Sequence, residues 1–461
     1  MFLLSNSKDQ MTLVSSTPQP HDGGLKRIAP TELAQILKRH DCFTKSRWGG
    51  ARACLKLLDL SRESFRGRNL AGADFTGAKL IGADLRGANL QNALFFGADL
   101  REARLDNANL VKTDLRGASL RGATMQDCNL SFSDLRDGIL LRHRNGELVP
   151  MSDDINRTQL SMASLNHATL TRAKLSNAFI VQTDLRDTNL KGAIFIRADL
   201  SRSDLSGCNL EGADLTEANL TGVKLEGAIL TRAILRLTNL EGADLIGALL
   251  DNADMTFAKL QGATMTRSLE SLGVELREIV RSHGQWIQTG GSSGQRADLT
   301  GVDLCNQNLS GLNLSAALMR GAMLREADLC STILVMTDLN GADLRKSRLC
   351  NADLRGAGLS RASLDQADLS GARLDPVPVQ TDQSWPTRLT RARLTGAVLA
   401  SANLSKAVLE GADLSTANCR DTDLTDAVLT DAVLTHTDLR GARLSGADFR
   451  GAIDYPPPRG K

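Results

Sequence analysis

Between residues 70 and 140 an apolar residue returns at every fifth position, and this spacing constrains the fold more than any other feature. The apolar residue is mostly leucine. The residue two positions before it is mostly alanine, and the residue just before it is mostly Asp or Asn. A straight helix would turn successive leucines by about 140°, and a straight strand would send alternate leucines to opposite faces. The repeating unit, A-(D/N)-L-x-x, therefore cannot bury its leucines in one straight element.

A chain that bends once per unit solves this problem. The alanine and the leucine share an interior, because residues two apart on a short extended side point the same way. The other three positions face water, Ser206 among them, and glycine suits the tight corner because it lacks Cβ. Four sides close a coil of about twenty residues, and stacked coils bond backbone to backbone at about 4.8 Å. The predicted interior includes Leu70, Phe75, Leu80, Leu85, Leu205, Leu210, Leu339 and Leu344.

Strings such as AGADFTGAKLIGADLRGANL resemble the pentapeptide-repeat family. The resemblance covers roughly three quarters of the chain, and repeats on this scale are a strong signal in a single sequence. It implies an all-β solenoid, a right-handed quadrilateral β-helix, whose handedness and four sides come from the family and not from the spacing. A repeat fold specifies a surface rather than a chemistry.

Breaks in the five-residue count divide the chain into six segments. They are an unperiodic lead (1–29), a helical cap (30–54), a first solenoid (55–265), a second helical cap with a Gly-rich turn (266–296), a second solenoid (297–452) and a tail (453–461). The composition of the lead predicts disorder. In the first cap, apolar residues at helical spacing predict a short α-helix over 31–40 that ends at His40. Each cap is expected to cover the first coil of its solenoid, because an open end would expose leucines and unpaired strand edges.

The second cap resembles the start of the chain. Apolar residues repeat there at three and four, so a helix is predicted over 268–285 despite Gly273. His283, Trp286 and a glycine-rich turn then follow one another as His40, Phe43 and a glycine pair do. The turn at 290–294 is interpreted as a flexible link, and its alternative is an anion-binding nest without the lysine of a phosphate loop.

Two inserts interrupt the solenoids. Residues 141–159 contain Asn145-Gly146 between two apolar-bearing arms, which predicts a hairpin on the outside. The alternative is one irregular coil, which would bury Asn145 without a partner. Residues 375–388 contain three prolines and Trp385, and they predict an external loop.

Composition narrows the function. The net charge is +2, from 55 basic and 53 acidic residues, so no overall field favours nucleic acid or a membrane surface. The eight cysteines show no metal or disulfide spacing and favour a reducing compartment. Cys330 and Cys350 lie twenty residues apart within disulfide range, but they are interpreted as free thiols because in-register strands rarely give the required angle. The N-terminus resembles no secretory leader, and no apolar run is long enough to span a membrane. A bacterial-type cytoplasmic protein is the expectation.

No residues form a recognisable active site. The six histidines are far apart and show no zinc-type spacing, and the abundant Ser and Thr lack an adjacent base. No catalytic residue, metal or cofactor is predicted, and the chain is not expected to be an enzyme. Arginines twenty apart, such as Arg325 and Arg345, should stack, with neighbouring aspartates neutralising them.

The sequence therefore predicts a non-enzymatic scaffold that binds an unidentified protein partner and contacts neither membrane nor nucleic acid directly. Its oligomeric state is open. The candidate partner surface comprises the Trp-bearing loop, two hairpin arginines and three aspartates, namely Trp385, Arg142, Arg144, Asp421, Asp426 and Asp431. The alternative is a DNA-mimicking inhibitor of a type II topoisomerase (gyrase), as some family members are. It depends on the excess of acids between Leu404 and Asp438.

Overall fold

The structure is a computed structural model that describes residues 25–138, 141–144, 147–150, 157–380 and 383–454. Its contacts group the chain into two compact units. The first comprises Met1–Asp184, Asn189–Leu200 and Asp214–Ala218, and the second comprises Leu185–Thr188, Ser201–Ala213 and Asn219–Lys461. The predicted boundary at 266–296 falls inside the second unit, so a tandem of two separate solenoids stays a prediction.

Residues twenty apart pair through parallel β-bridges, which gives each coil four sides. The first four pairs are Cys54 with Asp74, Asp59 with Lys79, Ser64 with Asp84 and Asn69 with Asn89. At each bridge, backbone groups bond in both directions: the Leu70 N–H donates to the Asn89 carbonyl at 2.7 Å, and the Asn89 N–H donates to the Arg68 carbonyl at 2.9 Å. The chain is therefore a β-helix solenoid, as the five-residue repeat predicts.

The interior is a column of leucines and alanines. All eight interior residues named from the sequence are at most 1% exposed. Larger rings also fit, because Phe75 and Phe95 stack in neighbouring coils with ring centroids 4.8 Å apart. Ser206, expected on the outside, is instead 5% exposed, because it lies beside Gly207, which the side chain of Arg361 approaches.

The corners are tight turns with a left-handed residue at their third position. The Ala73 N–H donates to the Leu70 carbonyl at 3.0 Å, and Gly72 has φ +71°, which is typical of type II turns. Glycine is common there but not required, since Asn92 and Glu102 adopt φ +57° and +59°. The Asp or Asn before the leucine accepts a backbone N–H two residues on, as Asp84 does from Arg86 at 3.2 Å, and this helps to fix the bend.

Both inserts leave the stack of coils. Strands β3 (Leu141–Arg144) and β4 (Glu147–Pro150) form an antiparallel hairpin, and strands β5 (Val377–Gln380) and β6 (Gln383–Trp385) form another. The predicted turn residues Asn145 and Gly146 lie outside the described part of the chain. The ladder passes directly from Ser119 to Gln159 and from Gly358 to Arg388, so the inserted residues add no coil.

A threonine closes each gap in the same way. The Thr158 Oγ1 accepts the Gly117 N–H at 3.0 Å, and the Thr387 Oγ1 accepts the Gly356 N–H at 2.9 Å. Each hydroxyl also donates to a backbone carbonyl, that of Arg136 for Thr158 at 2.8 Å. Both threonines are fully buried at an alanine position, where these bonds tie the chain after each insert to the backbone of the preceding coil.

The first cap begins with a short strand and continues as a helix. Residues 26–27, predicted as disordered, form β1 (Lys26–Arg27), which pairs in parallel with β2 (Leu58–Asp59) and supplies the strand edge that the first coil lacks. The predicted disorder of residues 1–24 lies outside the described residues. Helix α1 spans Pro30–Thr44, so His40 does not end it. His40 is buried instead, and four further residues are helical.

The predicted helix over 268–285 is interrupted. A 3₁₀ turn spans Leu269–Leu272, with the Ser268 side chain accepting the Ser271 N–H, and it ends at Gly273, whose φ is +68°. Helix α2 then spans Leu276–Gln288. Gly273 stops the first segment because glycine adopts the left-handed conformation at little cost. The predicted apolar stripe still packs against the core that begins at Ala297.

The two caps have matching geometry. Gly50 and Gly294 each lie directly against the backbone of their helix, where a Cβ would approach backbone atoms of Phe43 and Ser282 within 2.4 Å and 2.2 Å. The N–H of the next residue donates to a helix carbonyl in both, and Gln295 does so to Ser282 at 3.3 Å. The end of the turn at 290–294 therefore packs against α2 at Gly294, while its description as a flexible link stays a prediction.

Within the second unit, later coils lie beside earlier ones in the opposite order. Gly247 contacts Gly321 and Gly341, Gly227 contacts Gly341, and Gly207 contacts Arg361. A Cβ on Gly247 would lie 2.5 Å from the Gly341 carbonyl oxygen and 2.9 Å from the Gly321 Cα. Two rows of corners thus come into backbone contact where the facing positions are glycine, at Gly227 and Gly247 on one row and Gly321 and Gly341 on the other.

Candidate partner-binding surface

One unit of the second solenoid has an apolar outer face. In the unit TILVM, residues 332–336, the outward positions carry Ile333, Val335 and Met336 instead of the usual polar residues. Ile333 is 38% and Met336 is 44% exposed. The backbone of this unit is held between its two neighbours, since the Ala316 N–H donates to Val335 and the Met336 N–H donates to Arg355. These apolar side chains are therefore presented on a rigid support.

The second insert adds an aromatic ring to this face. The β5–β6 hairpin brings Val377 and Trp385 over Gly356, which stacks on Met336 twenty residues earlier. A Cβ on Gly356 would lie 3.1 Å from Val377, 3.2 Å from Trp385 and 3.3 Å from Met336. Glycine at this corner is what lets the three side chains meet. Trp385 remains 49% exposed. We call Ile333, Val335, Met336, Val377 and Trp385 the Trp385 face.

The charges near the Trp385 face are paired with one another. Arg355 and Asp353 form a two-point contact, with N–O distances of 2.8 Å and 2.7 Å, and Arg373 lies 3.6 Å from Asp375. Hydrogen bonds from Arg355 lower the pKa of Asp353, although burial opposes the charged form. The patch is thus an apolar centre with a neutralised polar rim, a composition typical of protein interfaces.

The other predicted surface residues are two arginines of the first insert and three aspartates of the second solenoid. Arg142 and Arg144 belong to β3, and their side chains fall outside the described part of the structure. Asp421, Asp426 and Asp431 are exposed but occupy three different corners, because residues five apart lie on successive sides of a coil. The structure therefore places the three aspartates at separate corners and not in one cluster.

Two of the seven acids in the acidic stretch, Asp423 and Asp438, form ion pairs. Arg443 pairs with Asp423 at 2.7 Å, and Arg420 and Arg440 pair with Asp438 at 2.6 Å and 2.7 Å. Arg440 and Arg443 lie just beyond the stretch in sequence but stack on it in the next coil. A sustained negative face would need unpaired acids twenty residues apart, and these pairs interrupt it.

The arginines expected to stack are in register and mostly paired. The Asp-Leu-Arg order closes a local ion pair, as in Asp84 and Arg86, whose guanidinium lowers the pKa of Asp84 to about 2. Arg325 and Arg345 both contact Asp251, at 3.0 Å and 2.8 Å. These arginines are thus committed to carboxylates of this chain and are not free to hold phosphates.

Among the described residues no group of His, Cys, Asp or Glu could hold a metal ion, and no helix is long and apolar enough to cross a membrane. Cys330 and Cys350 form a disulfide with Cα atoms 4.6 Å apart, so their interpretation as free thiols is wrong. Both stand at the first turn position after a leucine, outside the bridged strand, so the geometry of in-register strands does not apply. Burial of Cys128, Cys208 and Cys419 raises the pKa of each thiol, as expected for interior cysteines.

The repeat decides the family. The model described as pentapeptide repeats (8 copies) matches residues 59–97, 98–137, 154–192, 193–232, 233–269, 297–334, 337–375, 387–415 and 417–453. The chain belongs to the pentapeptide-repeat family. The family fold is a right-handed β-helix, in agreement with the four-sided coils described above.

Solved structures of the family resemble parts of this chain. Trypsin-treated QnrB1, a plasmid-mediated fluoroquinolone resistance protein, is 19% identical, with 49% of this chain and 100% of QnrB1 covered at a TM-score of 0.30. HetL, a pentapeptide-repeat protein involved in heterocyst differentiation regulation in Nostoc sp. strain PCC 7120, is 26% identical, with 71% and 88% covered and a TM-score of 0.15. Rfr23 from Cyanothece 51142 is 26% identical, with 31% and 90% covered and a TM-score of 0.18. No curated protein matches the chain significantly.

Proposed function

We propose that this pentapeptide-repeat protein is a non-enzymatic scaffold that binds a protein partner through the Trp385 face. The observation that carries the proposal is the meeting of Trp385, Met336 and Val377 over Gly356, at a place where the repeat normally presents polar residues. Tryptophan is enriched among the residues that dominate binding energy, because a rigid ring buries a large area at low entropic cost.

The composition of the chain makes this face distinctive. Aromatic residues are only 3% of the sequence, and the large rings Phe65, Phe75, Phe95 and Phe195 are buried in the coil. Other rings, such as Trp48, Phe132 and Phe257, are exposed, but the Trp385 face combines its ring with Met336 and Val377. The hairpin also holds Trp385 against the solenoid, so little ordering is needed when a partner binds. The partner is expected to offer an aliphatic or aromatic anchor to this face. A cytoplasmic location remains part of the proposal, and the disulfide at Cys330 is the feature that argues against it.

The test is capture of binding proteins from the native host with three forms of the full chain. Met336→Asp places a charge at the centre of the Trp385 face without disturbing the interior, and Phe257→Asp changes a more exposed apolar side chain on another coil. A protein retained by the wild type and by Phe257→Asp, but lost with Met336→Asp, is the expected result. Equal retention by all three forms would overturn the assignment of this face.

The DNA-mimic alternative has a direct test of its own. A gyrase inhibitor should block DNA supercoiling by purified gyrase at micromolar protein, and removal of Asp421, Asp426 and Asp431 together should abolish the effect. The paired and dispersed acids of the second solenoid argue for no inhibition. Inhibition by the wild type would replace the scaffold as the leading function.

A further inference from the structure

A histidine makes the same unusual bond in both caps. The His40 Nδ1 accepts the Ala53 backbone N–H at 3.0 Å, and the His283 Nδ1 accepts the Ala297 backbone N–H at 3.1 Å. Both histidines have 0% exposure. In each case the bonded alanine is the first interior residue of the coil that the helix covers. The imidazole therefore joins the cap to the solenoid at its terminal edge.

The surroundings of the two rings also match. His40 stacks on Phe43 with ring centroids 5.8 Å apart, and His283 stacks on Trp286 at 5.7 Å. Neither Nε2 atom, although buried, makes a hydrogen bond within the described part of the chain. A neutral ring that accepts at Nδ1 carries its hydrogen on Nε2, so each site tolerates a neutral histidine at the expense of one unpaired donor.

We propose that His40 and His283 make the two caps acid-sensitive, and that protonation of either imidazole releases its helix from the coil beneath. A proton from solvent would occupy Nδ1 and face the alanine N–H, so a donor would meet a donor and the bond would be lost. The resulting imidazolium would also be buried with a second N–H unpaired, which is costly away from water. Release exposes the first leucines and an open strand edge, a surface that can pair with another chain.

The charges around each ring favour the neutral form. Burial lowers the pKa of His40, Asp41 opposes this, and Arg52 adds to it. Burial likewise lowers the pKa of His283; the Ser315 backbone carbonyl, which lies close to the ring but outside hydrogen-bond geometry, opposes this, and Arg296 adds to it. A histidine whose pKa is lower in the folded state stabilises the cap fully above its unfolded pKa of about 6.5. That stabilisation is lost as the pH falls below 6.5 toward the folded value.

The experiment measures amide hydrogen exchange in the full-length protein from pH 8 to pH 5, corrected for the intrinsic pH dependence of exchange. In the wild type, protection of α1 and α2 should decrease below pH 6.5, by up to about tenfold per pH unit for a one-proton step. Amides of interior coils such as 200–240 should keep their protection. Cap protection that does not change over this range would overturn the proposal.

Each histidine supplies the control for the other. Asparagine keeps an acceptor at the δ position without a group that titrates in this range, so His283→Asn should remove the pH dependence of α2 and leave that of α1, while His40→Asn should do the reverse. A pH dependence of α2 that survives His283→Asn would assign the effect to carboxylates instead. If a variant does not fold, NMR titration of the wild-type imidazoles decides the question: ring protonation should coincide with loss of cap protection, and protonation of a ring under a still protected helix would refute the coupling.

Discussion

The coils of residues 55–138 and the coils of the second unit are built from the same repeat but use their charged residues differently. In the coils of residues 55–138, arginines pair with an aspartate of the same five-residue repeat, as Arg101 does with Asp99 at 2.7 Å. In the second unit, Asp187 receives two bonds from Arg361 at 2.7 Å and 2.8 Å and a further contact from Arg391. Those pairs join side chains 174 and 204 positions apart in the sequence.

The difference shows that the repeat specifies the coil while the corner residues specify what lies beside it. Within the second unit, acids of the coils before residue 266 contact arginines of the coils after residue 297. Glu226 lies 3.6 Å from Arg320, and Asp251 lies 2.8 Å from Arg345. The Asp187 side chain is only 7% exposed, whereas that of Asp99 is 28% exposed. Removing one partner of a buried ion pair strongly destabilises the folded protein, because the other charge stays buried without a partner. An exposed ion pair contributes little to the stability of the fold.

The largest expected effect should be the same in both regions, because it acts on the shared interior. Replacing Leu85 or Leu205 by Asp buries an unpaired charge between stacked leucines and should reduce the free energy of unfolding by about 3 to 5 kcal/mol. The exposed Arg232→Asp should change it by less than about 0.5 kcal/mol. Chemical denaturation of the three variants measures this, and similar losses for Leu205→Asp and Arg232→Asp would contradict the inward and outward assignment.

The next effect should separate the two regions. Gly87 and Gly247 occupy equivalent corners with φ of +62° and +68°, but a Cβ on Gly87 meets nothing within 4 Å, whereas on Gly247 it meets backbone. Alanine should cost about 1 kcal/mol at Gly87 for the left-handed conformation. At Gly247, overpacking should add about 1 to 3 kcal/mol. Equal melting temperatures of the two alanine variants would show that the corner rows of the second unit are not in contact.

The smallest effect concerns the ion pairs. Asp187→Asn should lower the free energy of unfolding by about 2 kcal/mol, because Arg361 and Arg391 lose a shared charged acceptor in a mostly buried place. Asp99→Asn removes an exposed local pair and should cost no more than about 1 kcal/mol. Urea unfolding at low and at moderate salt provides the measurement. A larger loss for Asp99→Asn than for Asp187→Asn would reverse the comparison between the two regions.

Local patterns predicted a helix in each cap and a break in the coil at each insert, but the first helix is longer than predicted and the second is interrupted at Gly273. The echo between the two caps was visible as His40 and His283, each followed by an aromatic residue and a glycine turn. The histidine bond itself could not be predicted, because its partners, Ala53 and Ala297, lie 13 and 14 residues away in a coil that forms independently. The apolar outer face of residues 332–336 is visible in the sequence as the unit TILVM, but its meeting with Trp385 depends on how the hairpin folds over Gly356.

By itself the sequence determined the coil: a five-residue period forces one bend per unit, which in turn places alanine and leucine inside and lets the bridged backbone groups pair with the coils on either side. These are local and repeated interactions, so any stretch of about twenty residues contains the information for them. The approach of Gly247 to Gly341, the bonds of Asp187 to Arg361, and the face around Trp385 were decided only by the tertiary structure. The first two depend on which corners of distant coils come side by side, and that is set by the path of the chain through residues 266–296, where the periodic signal stops. The face around Trp385 depends on how the second hairpin folds over Gly356.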